Sequence, residues 1–575
     1  MRKMKALFTK NPILSFITSL LLVFSFSCRP REIKTPEPPS DRHQPYNFVG
    51  RKGMVVAAHH LAAKAGLEML KKGGNAIDAA VTTAFALNAS EPFASGIGGG
   101  GFMVIYLASE KRVTVVDFRE KAPSGIPREI FNDEGKIKPA GLAVAVPGTL
   151  AGWVYSLKKY GTKSLADVTQ EAIKIAENGF AVSQTFSRIN KDQYEKLIMN
   201  AGEGTCYLNE GFPYEPGDLF RNPELAGTLK LIASKGIDEF YKGGIAQKVV
   251  KAVNEKGGVM DLNDLALYEP VEHPPLQGTY KDYTLFTIPP PSSGGVHIIQ
   301  LLNIIENWPV KKWGSNSPPY IHHLCEALRF VFADRSRYLG DPDFIKMPVE
   351  ELISKKYAKQ IVFQIKPDSL LDFYPFGRFD ERKNDQGNTT HVCVIDKKGN
   401  IVSLTQSINH FFGTGIVPEN TGFLLNNIMY DFSRDLSSPN ALGPYRRPLS
   451  SMSPLIMFKK EKPFLILGSP GGTRIFSSLT QIIINIIDFD MSLDEAIEAP
   501  RFFSYSSQGK PRSISLESRF PEKTYETLKN IGHSIRIREA FDKYFGGAQG
   551  ILILQDKKVI LGGADSRRDG YGAGY

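Results

Sequence analysis

Past the middle of the chain the sequence reads Asn388-Thr389-Thr390-His391-Val392-Cys393-Val394-Ile395-Asp396. Its β-branched residues predict a buried strand. Residues 397–400 predict a turn, and residues 401–405 predict a returning strand. Residues 383–387, before the quoted stretch, are polar and turn-prone. The pattern therefore predicts a β-hairpin whose mouth receives Thr389 from a flexible loop.

The threonine pair at the start of the first strand suggests a nucleophile. A threonine hydroxyl is a weak nucleophile unless a base lies beside it. An α-amino group titrates near ~7.7–8.0, so it accepts a proton at neutral pH. We predict that the chain is cut between Asn388 and Thr389, so that Thr389 reacts with its own α-amine as base. The alternative is that Thr389 and Thr390 only begin a strand, as threonine often does.

The composition is that of an ordinary globular protein, with 42% hydrophobic and 23% charged residues. The 70 lysines and arginines exceed the 60 acidic residues by ten. The sequence has no long basic run with interleaved aromatic residues, so we expect no nucleic-acid partner. The cysteines lack metal-ligand spacing, and we expect no metal or other cofactor. Two of them, Cys325 and Cys393, lie in apolar runs and are expected to be buried, inert thiols.

The first 49 residues resemble an export and tethering region. Residues 1–28 have a basic start and an apolar core, typical of an export signal. Small residues before Cys28 favour a bacterial lipoprotein signal with lipidated Cys28; a plain secretory peptide is the alternative. Residues 29–49 are Pro-rich and predict a tether. We expect a periplasmic or outer-membrane-tethered lipoprotein, or alternatively a secreted protein.

Glycine-rich segments and one arginine mark other candidate positions. The run 96–101 lacks the residues of a phosphate-binding loop, and we interpret it as close backbone packing before a strand. Arg119 ends a predicted strand and is a candidate carboxylate binder, although a surface ion pair with Glu120 would also explain it. Gly471 and Gly472 lie between a strand and a helix, where backbone N–H groups suit an oxyanion; a tight turn is the simpler reading.

Several separated blocks together resemble the γ-glutamyltranspeptidases, which are N-terminal-nucleophile hydrolases. The resemblance covers residues 50–575, and its blocks are residues 117–120, 289–295, 341–344, 389–391, 424–427, 448–454 and 468–472. It implies an α+β fold, a four-layer αββα sandwich built from two chains cut from one precursor. The large subunit would be residues 50–388 and the small, catalytic subunit residues 389–575, joined as a heterodimer. The implied substrates are glutathione and other γ-glutamyl compounds, with water, an amino acid or a peptide as acceptor.

The resemblance also implies roles for individual residues. Thr389 would be the nucleophile, and Ser407 would support it where the family often has threonine. Gly471 and Gly472 would stabilise the oxyanion. The remaining residues would bind the substrate, its α-carboxylate by Arg119, Ser450 and Ser451 and its α-ammonium by Asn409 and Asp431. A tight hairpin with Asp396 opposite Ile401 predicts that Ser407 lies level with Thr390.

Two departures from the family pattern affect the expected activity. Ile428 stands where the family usually offers a polar group to the α-amine. The connection 432–449 is short where family members with a lid have an insertion, so we expect hydrolysis to exceed transpeptidation.

Three alternatives stay open at this point. One is a cephalosporin or glutaryl acylase of the same fold, against which Asp431 argues. Another is a lipid-tethered binding protein with an inert site. The third, a nucleotide-binding protein using residues 96–101, lacks phosphate-binding chemistry.

Overall fold

The computed structural model describes residues 47–132, 134–371, 387–505 and 513–575. The predicted export signal and Cys28 lie outside these residues. The first described strand begins at Asn47, so regular structure is present before the predicted boundary at Gly50. The described residues include no helix long and apolar enough to cross a membrane.

Two antiparallel seven-stranded sheets form the centre of the fold. The sheet that carries Thr389, here named the nucleophile sheet, has the order β19-β2-β10-β11-β3-β4-β7. Its strands are β2 (Met54–Ala57), β3 (Gly100–Leu107), β4 (Arg112–Phe118), β7 (Val271–His273), β10 (Gly387–Ile395), β11 (Ile401–His410) and β19 (Tyr571–Gly574).

The second sheet, here named the facing sheet, has the order β1-β18-β17-β13-β12-β9-β8. Its strands are β1 (Asn47–Gly50), β8 (Leu276–Tyr280), β9 (Tyr283–Thr287), β12 (Leu455–Lys459), β13 (Lys462–Gly468), β17 (Gln549–Leu554) and β18 (Val559–Ala564). Two small sheets use the remaining strands β5 (Phe180–Ala181), β6 (Leu219–Phe220), β14 (Phe502–Tyr505), β15 (Ser513–Glu517) and β16 (Ser534–Arg538).

Helices cover the outer face of each sheet. The helices of the first half are α1 (His60–Lys71), α2 (Ala76–Ser90), α3 (Thr149–Tyr160), α4 (Leu165–Asn178), α5 (Gln184–Asp192), α6 (Tyr194–Ala201), α7 (Pro223–Lys235), α8 (Asp238–Tyr241), α9 (Gly244–Glu255) and α10 (Leu262–Ala266). The others are α11 (Gly294–Ile305), α12 (Val310–Trp313), α13 (Pro318–Tyr338), α14 (Val349–Leu352), α15 (Lys355–Gln364), α16 (Ile475–Ile487), α17 (Leu493–Glu498) and α18 (Glu522–Ile531).

Three hydrophobic cores hold these layers together. One joins α1–α4 and α7 to the nucleophile sheet, and a second joins α11, α13 and α16 to the facing sheet. The third lies between the sheets, where Val104 and Cys393 of one sheet meet Ile466 and Ile551 of the other. Each fully buried aliphatic side chain contributes roughly 1.5–3 kcal/mol relative to its exposed state. The layer order is therefore helix, sheet, sheet, helix, which confirms the predicted αββα sandwich.

Local sequence signals explain several elements of the chain. Asn75 accepts hydrogen bonds from the N–H groups of Ile77 and Asp78 and begins α2. Residues 146–353 are mostly helical and also contain the short strands β5–β9. Ser354 caps α15, so the described part of residues 354–388 includes a helix.

The β10–β11 hairpin differs from the predicted register by one residue. Ile395 lies opposite Ile401, and Thr390 lies opposite Gln406 rather than Ser407. The Asp396 side chain accepts hydrogen bonds from Lys398 N and Asn400 N, so Asp396 belongs to the turn and the turn is one residue longer than predicted. A β-bulge before Thr390 then restores the predicted offset, so that Asn388 pairs with Asn409.

The predicted cut site lies within a strand rather than in a loop. Asn388 and Thr389 are both part of β10, and Asn388 is only 5% exposed. Both sheets combine strands from before and after this point; for example, β10 pairs with β2 and β12 pairs with β9. A cut here would therefore leave two chains held together by shared sheet ladders.

Candidate active site

Thr389 and Ser407 face each other across the bulge of the β10–β11 hairpin. The Thr389 hydroxyl donates to Ser407 Oγ at 3.4 Å. Ser407 Oγ in turn donates a short hydrogen bond to the Asn388 carbonyl and accepts one from Asn409 N at 2.8 Å. Both side chains are nearly buried, at 4% and 2% exposure. One serine therefore contacts both the hydroxyl of the predicted nucleophile, Thr389, and the peptide carbonyl that this hydroxyl would attack.

The glycine run 96–101 brings backbone close to this serine. A Cβ on Gly99 would lie 2.1 Å from the Ser407 carbonyl oxygen, and one on Gly101 would lie 2.3 Å from that of Thr405. Only glycine permits these approaches. The interpretation of this run as close packing is confirmed, and the packing supports the strand that carries Ser407.

Arg568 forms hydrogen bonds with both residues of the predicted cut, a role that the sequence did not predict. Its Nη1 donates to the Thr389 carbonyl at 3.0 Å, and its Nη2 donates a short hydrogen bond to Asn388 Oδ1. Its guanidinium carbon lies 5.6 Å from the centre of the Phe411 ring. The local sequence gave no signal, because Arg568 reaches the site from the C-terminal end of the chain.

A pocket opens beside Thr389, and most of the predicted site residues line it. The lining residues named by sequence reasoning are Arg119, Thr389, Ser407, Asn409, Asp431, Ser450, Ser451 and Gly472, together with Ile428. Gly471, which precedes Gly472 in the sequence, does not line the pocket. The structure thus brings together residues that are more than 300 positions apart in the sequence.

Arg119 is buried rather than placed on the surface. Its Nη2 lies 2.6 Å from Asp431 Oδ2, its Nη1 lies 3.3 Å from Glu120, and its Nε donates to the Pro448 carbonyl at 3.1 Å. Burial raises the pKa of Glu120 to about 7, against the opposing effect of Arg119. The predicted carboxylate binder and the predicted ammonium binder therefore form one ion pair, into which a zwitterion can insert with opposite charges facing.

Asn409 stands at the end of β11 with a left-handed backbone, at φ 73°. Its Nδ2 donates to the Asn427 carbonyl at 3.1 Å, and Asn427 Oδ1 accepts from His410 N at 2.9 Å. These hydrogen bonds between two neighbouring segments hold Asn409 at the wall of the pocket. Ile428, 1% exposed, closes the adjacent wall with an apolar side chain.

Arg335 is a second arginine in the pocket that sequence reasoning did not name. Its Nε donates to Ser293 Oγ at 3.1 Å, and its Nη2 lies 3.5 Å from both the Leu449 carbonyl and Ser451 Oγ. Ser293 also donates from its N–H to the Ser450 carbonyl at 2.9 Å. Residues 289–295 thus serve the site indirectly, by fixing the two serines with Arg335.

The glycine pair lies where β13 ends and a 3₁₀ turn, Gly472–Arg474, leads into α16. Gly471 and Gly472 have φ angles of 135° and 57°. These left-handed conformations favour glycine and leave backbone N–H groups free of a regular ladder. The pair forms a tight turn, and Gly472 borders the pocket next to Thr389; its role as an oxyanion donor stays a prediction.

A separate group of side chains, of the types that can bind a metal, lies away from this site. His322, Glu326 and His533 bring ligand atoms within 4.8 Å of one another. His322 Nε2 faces the Lys366 carbonyl at 2.7 Å and so carries the proton, which leaves Nδ1 to accept from His533 Nε2 at 2.8 Å. Arg329 pairs with Glu326, and its cation opposes an added metal charge. We interpret the group as a structural tie rather than a metal site.

The sequence of the chain also matches a known protein family. The family model described as gamma-glutamyltranspeptidase matches residues 62–575. The chain belongs to the γ-glutamyltranspeptidase family. The resemblance read from the sequence blocks is thereby confirmed.

Some relatives of the chain are named hydrolases and others are named acylases. The glutathione hydrolase proenzyme of Escherichia coli strain K12 is 39% identical over 586 aligned positions, covering 97% of this chain and 98% of that protein. The acylase ACY 1 proenzyme of Pseudomonas sp. strain SE83 is 38% identical, covering 91% and 93%. The crystal structure of cephalosporin acylase from Bacillus halodurans has a TM-score of 0.82 at 26% identity, covering 95% and 99%.

Proposed function

We propose that this γ-glutamyltranspeptidase family member cleaves the γ-glutamyl amide of glutathione and related compounds through Thr389. The single observation that carries the proposal is the contact of Ser407 with both the Thr389 hydroxyl and the Asn388 carbonyl. The proenzyme name of the Escherichia coli relative supports the accompanying cut.

The cut itself follows from this contact. Thr389 Oγ1 attacks the Asn388 carbonyl carbon, and Ser407 donates its hydrogen bond to the oxygen on which negative charge develops. The C–N bond between Asn388 and Thr389 then breaks, and the hydroxyl proton passes to the departing nitrogen. The product is an ester between Asn388 and Thr389 Oγ1. Water hydrolyses the ester, which leaves a carboxylate on Asn388 and a free α-amine on Thr389.

Turnover uses the same oxygen a second time. The Thr389 α-amine takes the hydroxyl proton while Oγ1 attacks the γ-carbonyl of glutathione. The backbone at Gly472 faces the resulting oxyanion, and the amine proton passes to the leaving cysteinylglycine nitrogen. Water, or the amine of an amino acid or peptide, then attacks the γ-glutamyl ester and regenerates Thr389.

The pocket favours a γ-glutamyl donor over a glutaryl one. A γ-glutamyl group carries an α-ammonium and an α-carboxylate on one carbon, and Asp431 and Arg119 offer the two opposite charges side by side. A glutaryl group has no ammonium and would leave Asp431 facing Arg119 alone. Acylase activity remains the second candidate, because the acylase relatives are nearly as similar and Ile428 provides no polar contact to an amine.

The balance between water and amine acceptors follows from residues 432–449. This short connection joins Asp431 to Ser450 without a long insertion, and we propose that hydrolysis exceeds transfer. Product analysis with glutathione and a dipeptide acceptor at mildly alkaline pH tests this point. More transfer product than free glutamate would contradict it.

We also propose export and lipidation at Cys28, on the sequence pattern alone. Labelling of cells with a fatty-acid analogue tests this, with Cys28→Ser as control. A labelled Cys28→Ser protein, or an unlabelled wild type, would contradict lipidation.

Replacement of the nucleophile is the direct test of the whole proposal. The Thr389→Ala chain should stay uncut on a denaturing gel, and it should not release glutamate from glutathione. N-terminal sequencing of the smaller wild-type fragment should begin at Thr389. A cut Thr389→Ala chain, or an active uncut wild type, would overturn the proposal.

A further inference from the structure

Three buried polar atoms without a hydrogen-bond partner lie close to the predicted cut, among the residues that the structure describes. They are Glu91 Oε2, Thr390 Oγ1 and Arg568 Nε. Unsatisfied buried polar atoms are rare in native proteins, and each one calls for an explanation. Their position next to Asn388 and Thr389 points to a function in the cut.

Glu91 lies directly after α2, and its own N–H donates to the Leu87 carbonyl. The residue is only 3% exposed. Glu91 Oε1 lies 3.8 Å from Arg568 Nη1, the same nitrogen that donates to the Thr389 carbonyl. A chain of two contacts therefore connects Glu91 to the carbonyl of Thr389, the residue directly after the predicted cut.

Glu91 is the acid best placed to balance the charge of Arg568. Asp565 is already paired with Arg501 and Arg567, at 2.7 and 3.0 Å. Asp569 accepts a hydrogen bond from Ser183. Burial opposes the positive charge of Arg568, and the nearby charge of Arg474 also disfavours it. A buried arginine without a counter-charge is strongly disfavoured, so the carboxylate of Glu91 keeps Arg568 in place.

We propose that Glu91 is a positioning residue for the cut: its carboxylate holds Arg568 on Asn388 Oδ1 and on the Thr389 carbonyl. Arg568 spans the bond, with one contact before it and one after it. These two contacts hold the Asn388 carbonyl next to Ser407 and the Thr389 hydroxyl. The inference rests on the proposed function, since it assumes that Thr389 cuts the chain at this bond.

The charge of Glu91 changes within the working range of pH. Burial raises the pKa of Glu91 to about 7, and Arg568 opposes this shift. The other groups facing Glu91 are the Thr390 hydroxyl and Asp569. The hydroxyl lies near the carboxylate and lowers its pKa, although the two make no well-formed hydrogen bond, and Asp569 raises the pKa. Below that pH Glu91 becomes neutral and Arg568 loses its counter-charge. The cut should therefore slow as the pH falls through about 7, before any α-amine exists at Thr389.

The test follows the cut over time on denaturing gels. Full-length precursor made by cell-free synthesis is incubated from about pH 5.5 to about pH 9, a range that spans the shifted carboxyl. We expect Glu91→Gln to be cut roughly tenfold more slowly than wild type at about pH 8, because a charge-assisted contact is lost. Its rate should also lose the rise near pH 7, and Glu91→Asp should restore part of the rate and the rise.

The controls separate this inference from the proposed function. Glu68→Gln, an exposed acid on α1, should be cut like wild type. Thr389→Ala should not be cut; if it is cut, the proposed function fails. If Thr389→Ala stays intact while Glu91→Gln is cut at the wild-type rate with the wild-type pH profile, only the role of Glu91 is overturned. Circular dichroism establishes that each precursor is folded. If Glu91→Gln does not fold, the pH profile of Glu91→Asp is the test. A midpoint different from that of wild type supports the role of Glu91, and an unchanged midpoint overturns it.

Discussion

Ser407 Oγ donates to the carbonyl of Asn388 while it accepts the hydroxyl of Thr389. We expect Ser407→Ala to slow the cut by roughly 10²-fold, the usual effect of removing one donor to an oxyanion. Ser407→Thr keeps the hydroxyl and should be cut at a rate close to wild type. Gel densitometry of freshly made precursor measures both rates. Equal rates for the alanine and threonine variants would show that the hydroxyl has no part in the cut.

Asp431 should control the choice between donors with and without an α-amine. Its replacement in Asp431→Asn removes a charge-assisted contact, and kcat/KM for a γ-glutamyl anilide should fall roughly 10- to 100-fold. The value for a glutaryl anilide should fall less, so the ratio of the two should drop. An equal loss for both donors would mean that Asp431 acts only by holding Arg119.

Arg335 should affect substrate binding through the serines that it touches. Its Nη2 lies 3.5 Å from Ser451 Oγ and from the Leu449 carbonyl. We expect Arg335→Met to raise KM roughly tenfold while kcat changes less, because uniform binding is lost. Arg337→Met, on the exposed side of the same helix, is the matched control and should leave KM unchanged. A fall in kcat with constant KM would contradict this assignment.

Gly468 has no room for a side chain. A Cβ at this position would lie 2.1 Å from Cε1 of the buried His391 ring, which is held by a 2.8 Å contact with Thr405 Oγ1. Gly468→Ala should therefore destabilise the protein by about 1–3 kcal/mol or more. A Cβ on Gly204 meets no atom within 4 Å, so Gly204→Ala is the control. Urea midpoints compare the two; equal midpoints would show that the ring can move aside.

Buried histidines should make the fold sensitive to acid. Burial lowers the pKa of His297 to about 3, while the unfolded value is 6.5. The unfolded chain binds the proton first, so this contribution to stability is present above pH 6.5 and is lost as the pH falls toward 3. His297→Gln should reduce the slope of unfolding free energy against pH by up to ~1.4 kcal/mol per pH unit between these values. Urea unfolding at several pH values measures the slope, and an unchanged slope would refute the assignment.

The local sequence predicted those features that depend on neighbouring residues. Asn75 caps α2 with its own side chain, and the residue type together with the apolar run after it is a local signal for this cap. The hairpin around residues 397–400 and the packing role of the glycine run were also predicted, since turn residues and small residues carry their meaning locally. The register failed by one residue because it depends on the hydrogen bonds of the Asp396 side chain.

The sequence by itself determined the nucleophile candidate, the strand that holds it, the sandwich class and, through separated blocks, the family. Only the tertiary structure decided that Asn388 is buried within a strand, that Arg119 pairs with Asp431, and that Arg335 and Arg568 belong to the site. The physical reason is distance along the chain: Arg568 meets Thr389 across 179 positions, and Arg119 meets Asp431 across 312. Such contacts arise from the packing of layers, and no local pattern of residue types records them.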